Sequence, residues 1–420
     1  MSSSSSSSSP HEVILTSSPD GPIIAYDASS GTVVTRFAAS RSPRRGLALV
    51  GKTSIVASHI CPITASGSIH LYNWWSSTAF HKLPVPEPVA PLTATPDGSY
   101  LFAGGLSGTV YALSVASGDI LNSLPAHTKP VSCLKISEDG SLLISGSDDG
   151  SIVVTAIFQL VGSPNECTNH LILHKFDAHS GSVTAITSGT GICNSQVISC
   201  SMDSTCKFWS LLRRTHLRTV VFPCSILGIT LNPSESDFYA AGSDGSIYKG
   251  PIRIGKGRFP SNELVEWVQN QHNGAIVAVA MVNDGRNLVS ASEDGNVWVW
   301  ESGSGQVVLD LGNEMGMGIS DLVVASGIRS GNEIGFGMGT GNDGLFGNEG
   351  ISCLDVKETM EMEDVMVVAE KDRSRAIDML ESAIAMYERL LELILKEVKG
   401  ASGGGSCNRE VTNENENSNM

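Results

Sequence analysis

The sequence is short of charge, and short of positive charge in particular. Only 17% of its 420 residues are charged, the formal net charge is −16 and the pI is about 5.0. An acidic chain lacks the electrostatic footprint of proteins that grip nucleic acid by its phosphates. Direct RNA binding would therefore need a local basic patch, or would pass through a partner protein.

Long apolar runs are also missing. The longest, Ala275 to Val282, is far too short to cross a bilayer as a helix. At the N-terminus, Met1 is followed by a serine tract up to Pro10, without the basic and apolar regions of a secretory signal. We expect residues 1–11 to be a disordered Ser-rich tail, and the protein to be soluble and intracellular.

The cysteines lack a metal-binding or disulfide pattern. There are nine, an odd number, and none forms a C-x-x-C pair. Cys193, Cys200 and Cys206 lie close together in sequence, but their spacing fits no common zinc site. We expect small buried thiols in a reducing compartment.

Glycine is abundant, with 44 residues, and it marks a repeat. An apolar alternating run, a tight turn and a second alternating run recur seven times, at intervals of roughly 40–55 residues. The runs read "EVILTSSPDGPIIAYD", "ITASGSIHLYNW", "YLFAGGLSGTVYAL", "LLISGSDDGSIVV", "VISCSMDSTCKFW", "FYAAGSDGSIYKG" and "LVSASEDGNVWVW". The turn positions, which favour positive φ, are Gly21, Gly67, Gly108, Gly150, Ser204, Gly245 and Gly295.

Further short apolar strands flank most hairpins, which gives four strands per unit. This pattern predicts an all-β fold, a seven-bladed WD40 β-propeller over residues 12–326. The first unit lacks its first strand, and "GISDLVVAS", residues 318–326, could supply it and close the ring. The Trp-Asp dipeptide typical of such repeats is absent, because Trp209 is followed by Ser210 and Trp300 by Glu301.

Two repeats carry the buried hydrogen-bonded tetrad of WD40 blades. Its members are His179, Ser199, Asp203 and Trp209 in one repeat, and His272, Ser290, Asp294 and Trp300 in another. A third repeat has His127, Ser145 and Asp149, with Thr155 in the tryptophan position. His, Ser and Asp also form catalytic triads, but a set that recurs from repeat to repeat indicates a structural role.

Two stretches match nucleotide-binding patterns. "GLALVGKT", residues 46–53, satisfies G-x-x-x-x-G-K-[ST], and residues 339–344 satisfy G-x-G-x-x-G. The first lies in an apolar strand with no helix after it, and the second has neither a strand before it nor a helix after it. We therefore expect no nucleotide site, no cofactor, no metal and no enzymatic activity.

A different composition follows the propeller. Residues 327–372 are Gly-rich and then acidic, typical of a flexible linker, and residues 400–420 are expected to be a disordered tail. Residues 373–399 predict one helix with a strict heptad, so we expect a coiled coil that pairs two copies or binds a partner helix. The seam positions are Ile377, Leu380, Ile384, Tyr387, Leu391, Ile394 and Val398.

Basic residues are few but clustered. The clusters are Arg41, Arg44 and Arg45; Arg213, Arg214 and Arg218; and Arg253, Lys256 and Arg258. The ordinary interpretation of these clusters is that they lie in solvated loops. The functional interpretation is contact with an acidic partner or with RNA phosphate. The first cluster is the candidate for an acidic partner. Ser42, which precedes Pro43 there, is a candidate phosphorylation site whose added negative charge would weaken such a contact.

The amino-acid sequence of several stretches is more specific than the repeat pattern requires. "SRSPRRGLAL", "SGSIHLYNWWSSTA" and "EPVAPLTATPDGSYLFAGGLSG" resemble the plant ROOT INITIATION DEFECTIVE family of WD-repeat proteins. That family is similar in turn to the WD-repeat subunit of the nuclear complex that matures the large ribosomal subunit in yeast and animals. The resemblance covers residues 12 to about 399.

The resemblance implies a non-catalytic scaffold in the nucleolus and nucleoplasm, with some presence in the cytoplasm left open. It implies a homodimer through the C-terminal helix, binding to helical-repeat subunits, and contact with pre-ribosomal particles during precursor rRNA processing. In plants it implies support of root and shoot meristems and of organ regeneration. The alternative is a substrate receptor or signalling scaffold in a ubiquitin-ligase complex, but the Trp-Asp-x-Arg box of such receptors is absent after Trp209 and Trp300.

Overall fold

The fold is a closed ring of seven β-sheets. A computed structural model describes residues 12–38, 41–51, 54–61, 64, 66–74, 76–162, 171–189, 196–252, 264–267, 272–312 and 316–326. Within these residues, 28 strands form seven four-stranded antiparallel sheets, which are the blades of the propeller. The seven-bladed, all-β architecture predicted from the repeats is confirmed, whereas the predicted linker and coiled-coil helix lie outside the described residues.

Each blade is numbered in ring order and is built from four strands, from the central channel outward. The innermost strands of blades 1 to 7 are β28 (Asp321–Ser326), β4 (Leu47–Val50), β8 (Val89–Ala94), β12 (Val131–Ile136), β16 (Val183–Ser188), β20 (Ile226–Leu231) and β24 (Ile276–Val282). The second strands are β1 (Glu12–Ser17), β5 (Ser54–Ile60), β9 (Tyr100–Gly105), β13 (Leu142–Ser147), β17 (Gln196–Ser201), β21 (Asp237–Gly242) and β25 (Asn287–Ser292).

The outer half of each blade follows the same order. The third strands are β2 (Ile23–Asp27), β6 (Gly67–Asn73), β10 (Thr109–Ser114), β14 (Ser151–Ala156), β18 (Thr205–Ser210), β22 (Ile247–Pro251) and β26 (Val297–Glu301). The outermost strands are β3 (Val33–Phe37), β7 (His81–Pro84), β11 (Ile120–Pro125), β15 (Ile172–Asp177), β19 (Thr215–Val221), β23 (Val265–Glu266) and β27 (Val307–Gly312). A single short helix in these ranges, α1 (Ile157–Val161), follows β14.

Burial explains why the strands differ in sequence. The second strands are almost continuously buried, because neighbouring blades cover both of their faces. The outermost strands alternate between partly buried and exposed positions, as in β3 and β15. The core therefore lies between the blades, and each fully buried Val, Leu, Ile or Phe side chain stabilises the fold by about 1.5–3 kcal/mol relative to an exposed one.

The ring is closed by strands from two distant parts of the chain. Strand β28 pairs antiparallel with β1, from Glu12 opposite Ser326 to Ser17 opposite Asp321. The Ser17 carbonyl accepts the Ser320 N–H at 2.8 Å. Strand β28 also lies against the innermost strands of both neighbouring blades, β4 and β24. Blade 1 thus takes its innermost strand from residues 321–326, the segment that the sequence offered for this place.

Most of the predicted turn positions have the left-handed backbone. Gly108, Gly150, Gly245 and Gly295 have φ between 82° and 90°, and Ser204 has φ of 62°. The prediction is wrong for Gly21 and Gly67, which do not have positive φ. Gly67 is instead the first residue of β6, paired with Ile60. A Cβ there would lie 2.4 Å from the Glu87 carbonyl oxygen. The glycine is therefore required by the close approach of two segments of the backbone, not by turn geometry.

Two cysteines depart from the expectation of separate thiols. Cys200 on β17 and Cys206 on β18 are directly opposite each other in the hairpin of blade 5, and they form a disulfide. The spacing of the cysteines did not indicate this pair, because it depends on the register of the hairpin. Cys133 is a buried free thiol, and burial raises its pKa to about 11.

Candidate functional site

The tetrad of blade 5 is a connected set of hydrogen bonds. Nε2 of His179 lies 2.8 Å from Oγ of Ser199, and the indole N–H of Trp209 donates to the same Oγ at 2.9 Å. Nδ1 of His179 lies 3.0 Å from Oδ2 of Asp203. Asp203 also accepts the backbone N–H of Thr205, and so ties the turn between β17 and β18 to the loop that carries the histidine.

Blade 7 repeats the inner part of this arrangement. Nε2 of His272 and the indole N–H of Trp300 both meet Oγ of Ser290, each at 2.8 Å. Nδ1 of His272 has no hydrogen-bond partner within the described part of the chain, and the ring stacks on Trp298 with centroids 4.0 Å apart. Asp294 accepts the backbone N–H of Asn296 at 3.0 Å, and so orders the turn.

Blade 4 keeps the histidine and its serine but differs in the other partners. His127 lies 2.8 Å from Ser145 Oγ through Nε2, and 2.9 Å from Ser151 Oγ through Nδ1. Asp149 is 3.7 Å from Nδ1. Thr155, in the tryptophan position, bonds the Leu143 carbonyl at 3.3 Å. Thus the structure joins the histidine and the serine of each set within one blade, and the full tetrad is connected in blade 5.

Burial determines the chemistry of these histidines. It lowers the pKa of His127 and of His272 to about 4, so both rings are neutral at physiological pH. It also lowers the pKa of His179, against the opposing charge of Asp203. The serines are fully buried, so a substrate could not reach their hydroxyl groups. A neutral histidine that is hydrogen-bonded to a buried hydroxyl holds its loop against the strand that carries the serine. This geometry suits a structural role.

Two further polar networks were not found from the sequence. In blade 3, the Glu87 carboxylate accepts the Tyr111 hydroxyl at 2.7 Å and the Ser107 backbone N–H at 2.8 Å. In blade 6, Asp244 accepts the Tyr248 hydroxyl at 2.7 Å. Each replaces the histidine network with a tyrosine on the third strand of the blade. A tyrosine in the first residues after the turn is the signal that could have indicated both.

The loop that precedes β4 places Arg44 and Arg45 of the first basic cluster at one mouth of the central channel. Arg41 is exposed, whereas Arg44 is paired with Glu293. Arg45 has φ of 59°, and its guanidinium donates to the Leu227 carbonyl at 2.5 Å. Leu227 belongs to blade 6, on the opposite side of the ring from blade 2. Arg45 therefore spans the channel mouth, whereas the Arg41 side chain is exposed.

A cavity surrounds Arg45 at this mouth of the channel. Its volume is about 490 Å³, and it is lined by Pro43 and Arg44 and, across the mouth, by Leu106, Asp148 and Met202. Below it, the buried Asp321 carboxylate accepts the Leu47 N–H at 3.0 Å. Burial raises the pKa of Asp321 to about 6, and the nearby charge of Arg45 opposes that rise.

Some of the remaining sequence motifs lie within the described residues and others lie outside them. Ser42 is fully buried, which argues against its phosphorylation in the folded propeller, and the modification stays a prediction. Residues 47–50 of the P-loop match form strand β4. Lys52 and Thr53, the cluster Arg253, Lys256 and Arg258, and all seven seam residues from Ile377 to Val398 lie outside the described residues. Across the described ranges, no group of three metal-ligating side chains and no membrane-length apolar helix occurs.

Comparison with known proteins agrees with the fold. A family model described as "WD domain, G-beta repeat" matches residues 118–154, 171–210 and 265–301. Protein ROOT INITIATION DEFECTIVE 3 of Arabidopsis thaliana is 38% identical over 290 residues, which cover 69% of this chain and 66% of that protein.

More distant relatives carry informative names. WD repeat-containing protein 18 of Homo sapiens is 27% identical over 312 residues, 71% of this chain and 70% of that protein. Pre-rRNA-processing protein crb3/ipi3 of Schizosaccharomyces pombe is 26% identical over 323 residues, 69% of this chain and 71% of that protein. With its seven blades and these relatives, the chain belongs to the WD-repeat family that includes ROOT INITIATION DEFECTIVE 3, WD repeat-containing protein 18 and crb3/ipi3.

Proposed function

We propose that this protein is a non-catalytic WD40 scaffold for pre-rRNA processing and assembly of the large ribosomal subunit. The observation that carries the proposal is its similarity, over most of the propeller, to proteins named for pre-rRNA processing. The geometry supports it, because the serines of the His–Ser–Asp sets are buried and the sets recur from blade to blade. The ubiquitin-ligase alternative has no comparable support, so it serves as the competing outcome of the test below.

The proposed setting is nuclear, in the nucleolus and nucleoplasm. There the protein would join helical-repeat subunits of a maturation complex and contact pre-ribosomal particles. With a net charge of −16, contact with RNA is proposed to be mainly indirect, through those partners. Exposed Arg41 is the residue of the first cluster that we propose for contact with an acidic partner surface. The role of the protein in proliferating tissue, in meristems and in regenerating organs, would follow from the demand for ribosomes there.

A dimer through residues 373–399 is the second part of the proposal. The heptad of Ile377 to Val398 supports it, because a strict 3-4 repeat of apolar residues is the seam of a coiled coil. The seam would join two propellers and present two copies of each partner-binding surface.

The seam yields a direct prediction. Charged residues at both Leu391 and Ile394 are expected to give monomers, because each seam side chain contributes roughly 1.5–3 kcal/mol of apolar burial. Sedimentation velocity on the full-length protein measures the change in mass. Glu392→Lys, outside the seam, is the matched control and should leave the dimer intact. A double variant that still sediments as a dimer would show that the helix is not the dimer contact.

The function itself is tested in plant cells with a tagged copy of the full chain. After sucrose-gradient sedimentation, precursor rRNA is probed across the fractions. We expect the protein to co-migrate with large-subunit precursors, and deletion of residues 373–399 to abolish this. Migration only as a small complex, with normal precursor rRNA after depletion, would contradict the proposed function and favour the ligase receptor.

A further inference from the structure

The outer edge of blade 5 is unusually apolar. Strand β19 is the last strand of its sheet, so one row of its backbone N–H and C=O groups is not paired by another strand. Leu217 is 42% exposed and Val221 is 68% exposed, and both lie on this strand. Leu212, in the turn just before the strand, is 60% exposed. Three large apolar side chains within ten residues therefore face solvent at an open strand edge.

The other blades do not share this feature. Among the described outermost strands, β19 is the longest, and it alone has two exposed large apolar residues. The strands β3, β11, β15, β23 and β27 have one each, which are Val34, Ile120, Leu173, Val265 and Val308. Proteins usually keep such edges short or charged, because an exposed apolar edge pairs with other chains.

Positive charge stands at the start of the same strand. Arg213 and Arg214 are exposed in the turn between β18 and β19, and neither makes an ion pair with a described carboxylate. Arg214 has φ of 54°, which fixes the turn. Its charge also reaches across to blade 4, where it helps to lower the pKa of His174, after the larger effect of burial.

Neighbouring rings make this edge rigid. The ring of Trp209 packs edge-on against His216 of β19, with centroids 5.2 Å apart, and lies 5.1 Å from Phe176 of blade 4. On the other face, Arg218 lies over the Phe208 ring and donates to the Pro251 carbonyl of blade 6. Strand β19 is thus anchored to both neighbouring blades, while Leu217 and Val221 remain exposed. A rigid strand loses little conformational freedom when another chain pairs with it.

We propose that β19 is a docking edge for an extended segment of a protein partner, which adds to blade 5 as a fifth strand. Backbone hydrogen bonds would supply affinity, as in other cases of strand addition. Alternate apolar residues of the segment would cover Leu217 and Val221, and acidic residues at one end would face Arg213 and Arg214. An RNA strand is less suitable, because phosphates would leave the two apolar side chains uncovered. The inference rests on blade 5 alone, so its test is independent of the proposed function.

The test uses purified full-length protein and a fluorescein-labelled peptide of three glutamates followed by alternating valine and threonine. Binding is measured by fluorescence anisotropy at low and high salt. We expect saturable binding that weakens with salt, because the charged end is exposed. Leu217→Lys, and separately the double change of Arg213 and Arg214 to Glu, should each weaken binding by about tenfold or more. A peptide with proline at the valine positions should not bind, since it cannot donate the backbone hydrogen bonds.

Val308→Lys is the matched control, because Val308 is 62% exposed on the outermost strand of blade 7. It should leave peptide binding unchanged, and all variants should keep the circular dichroism spectrum of the unmodified protein. Binding that is absent, or equal in the Leu217 variant and the Val308 variant, would overturn the proposal. So would an oligouridylate that binds through Arg213 and Arg214 while the peptide does not bind.

Discussion

Replacement of Trp300 by alanine is expected to lower the free energy of unfolding by about 3–5 kcal/mol, the usual cost of removing a buried tryptophan. The side chain is 1% exposed and lies 5.6 Å from the rings of both Trp267 and Trp298. Its N–H also holds Ser290, so the substitution leaves a cavity and removes a donor from a buried hydroxyl. Urea unfolding followed by circular dichroism measures the change.

Two other variants separate these contributions. Trp300→Phe keeps most of the apolar volume but has no N–H to donate, and should cost less than the alanine variant. Val308→Ala, at an exposed position, should change the free energy of unfolding by no more than about 0.5 kcal/mol. A Trp300→Ala protein that is as stable as the Val308→Ala protein would show that this tetrad does not hold blade 7 together.

Acid is expected to weaken the propeller strongly between pH 6.5 and pH 4. The pKa of His127 and of His272 is about 4 in the folded state, below the usual 6.5. Their stabilisation is therefore complete above pH 6.5, and is lost as falling pH protonates the unfolded chain first. With 1.36 kcal/mol per pKa unit, each histidine accounts for a loss on the order of 3 kcal/mol. Urea unfolding at a series of pH values measures the slope.

One buried carboxyl group works in the opposite direction. The pKa of Asp321 is raised to about 6, so its contribution to stability increases as pH falls from 6 towards its unfolded value near 3.8. The two histidines outweigh it, and the net expectation remains a loss. The double variant His127→Gln, His272→Gln should flatten the slope, whereas His81→Gln, at an exposed position on β7, should not. An unchanged slope in the double variant would assign the acid sensitivity to other groups.

The sequence predicted those parts of the fold that depend on local chemistry. A turn such as Asp294-Gly295 requires positive φ, and the alternating runs around it must pair, so the hairpins could be located without a structure. The tetrads followed because their members recur at similar spacing. The same logic misplaced Gly67, because a glycine needed for close approach to Glu87 cannot be told from a turn glycine by letters alone.

Long-range contacts of individual side chains were beyond sequence reasoning, although the closing strand of the ring was not. Arg45 reaches the Leu227 carbonyl, 182 residues away in the chain, and no local pattern indicates that an arginine in a polar loop points into the channel. Burial of Ser42 in the same loop has the same cause. The disulfide between Cys200 and Cys206 depends on which residues of a hairpin are opposite each other, and a shift of one position would separate them.

The pairing of β28 with β1 has a consequence for synthesis on the ribosome. Strand β1 emerges from the ribosome well before the strand that covers it, which follows some 300 residues later. At about 5–20 residues per second, β1 waits roughly 15–60 s for its neighbour. Blade 1 is therefore begun before the other six blades and completed after them. Messages that stop before residue 321 would release chains with a permanently open edge, prone to aggregate and to be captured by chaperones.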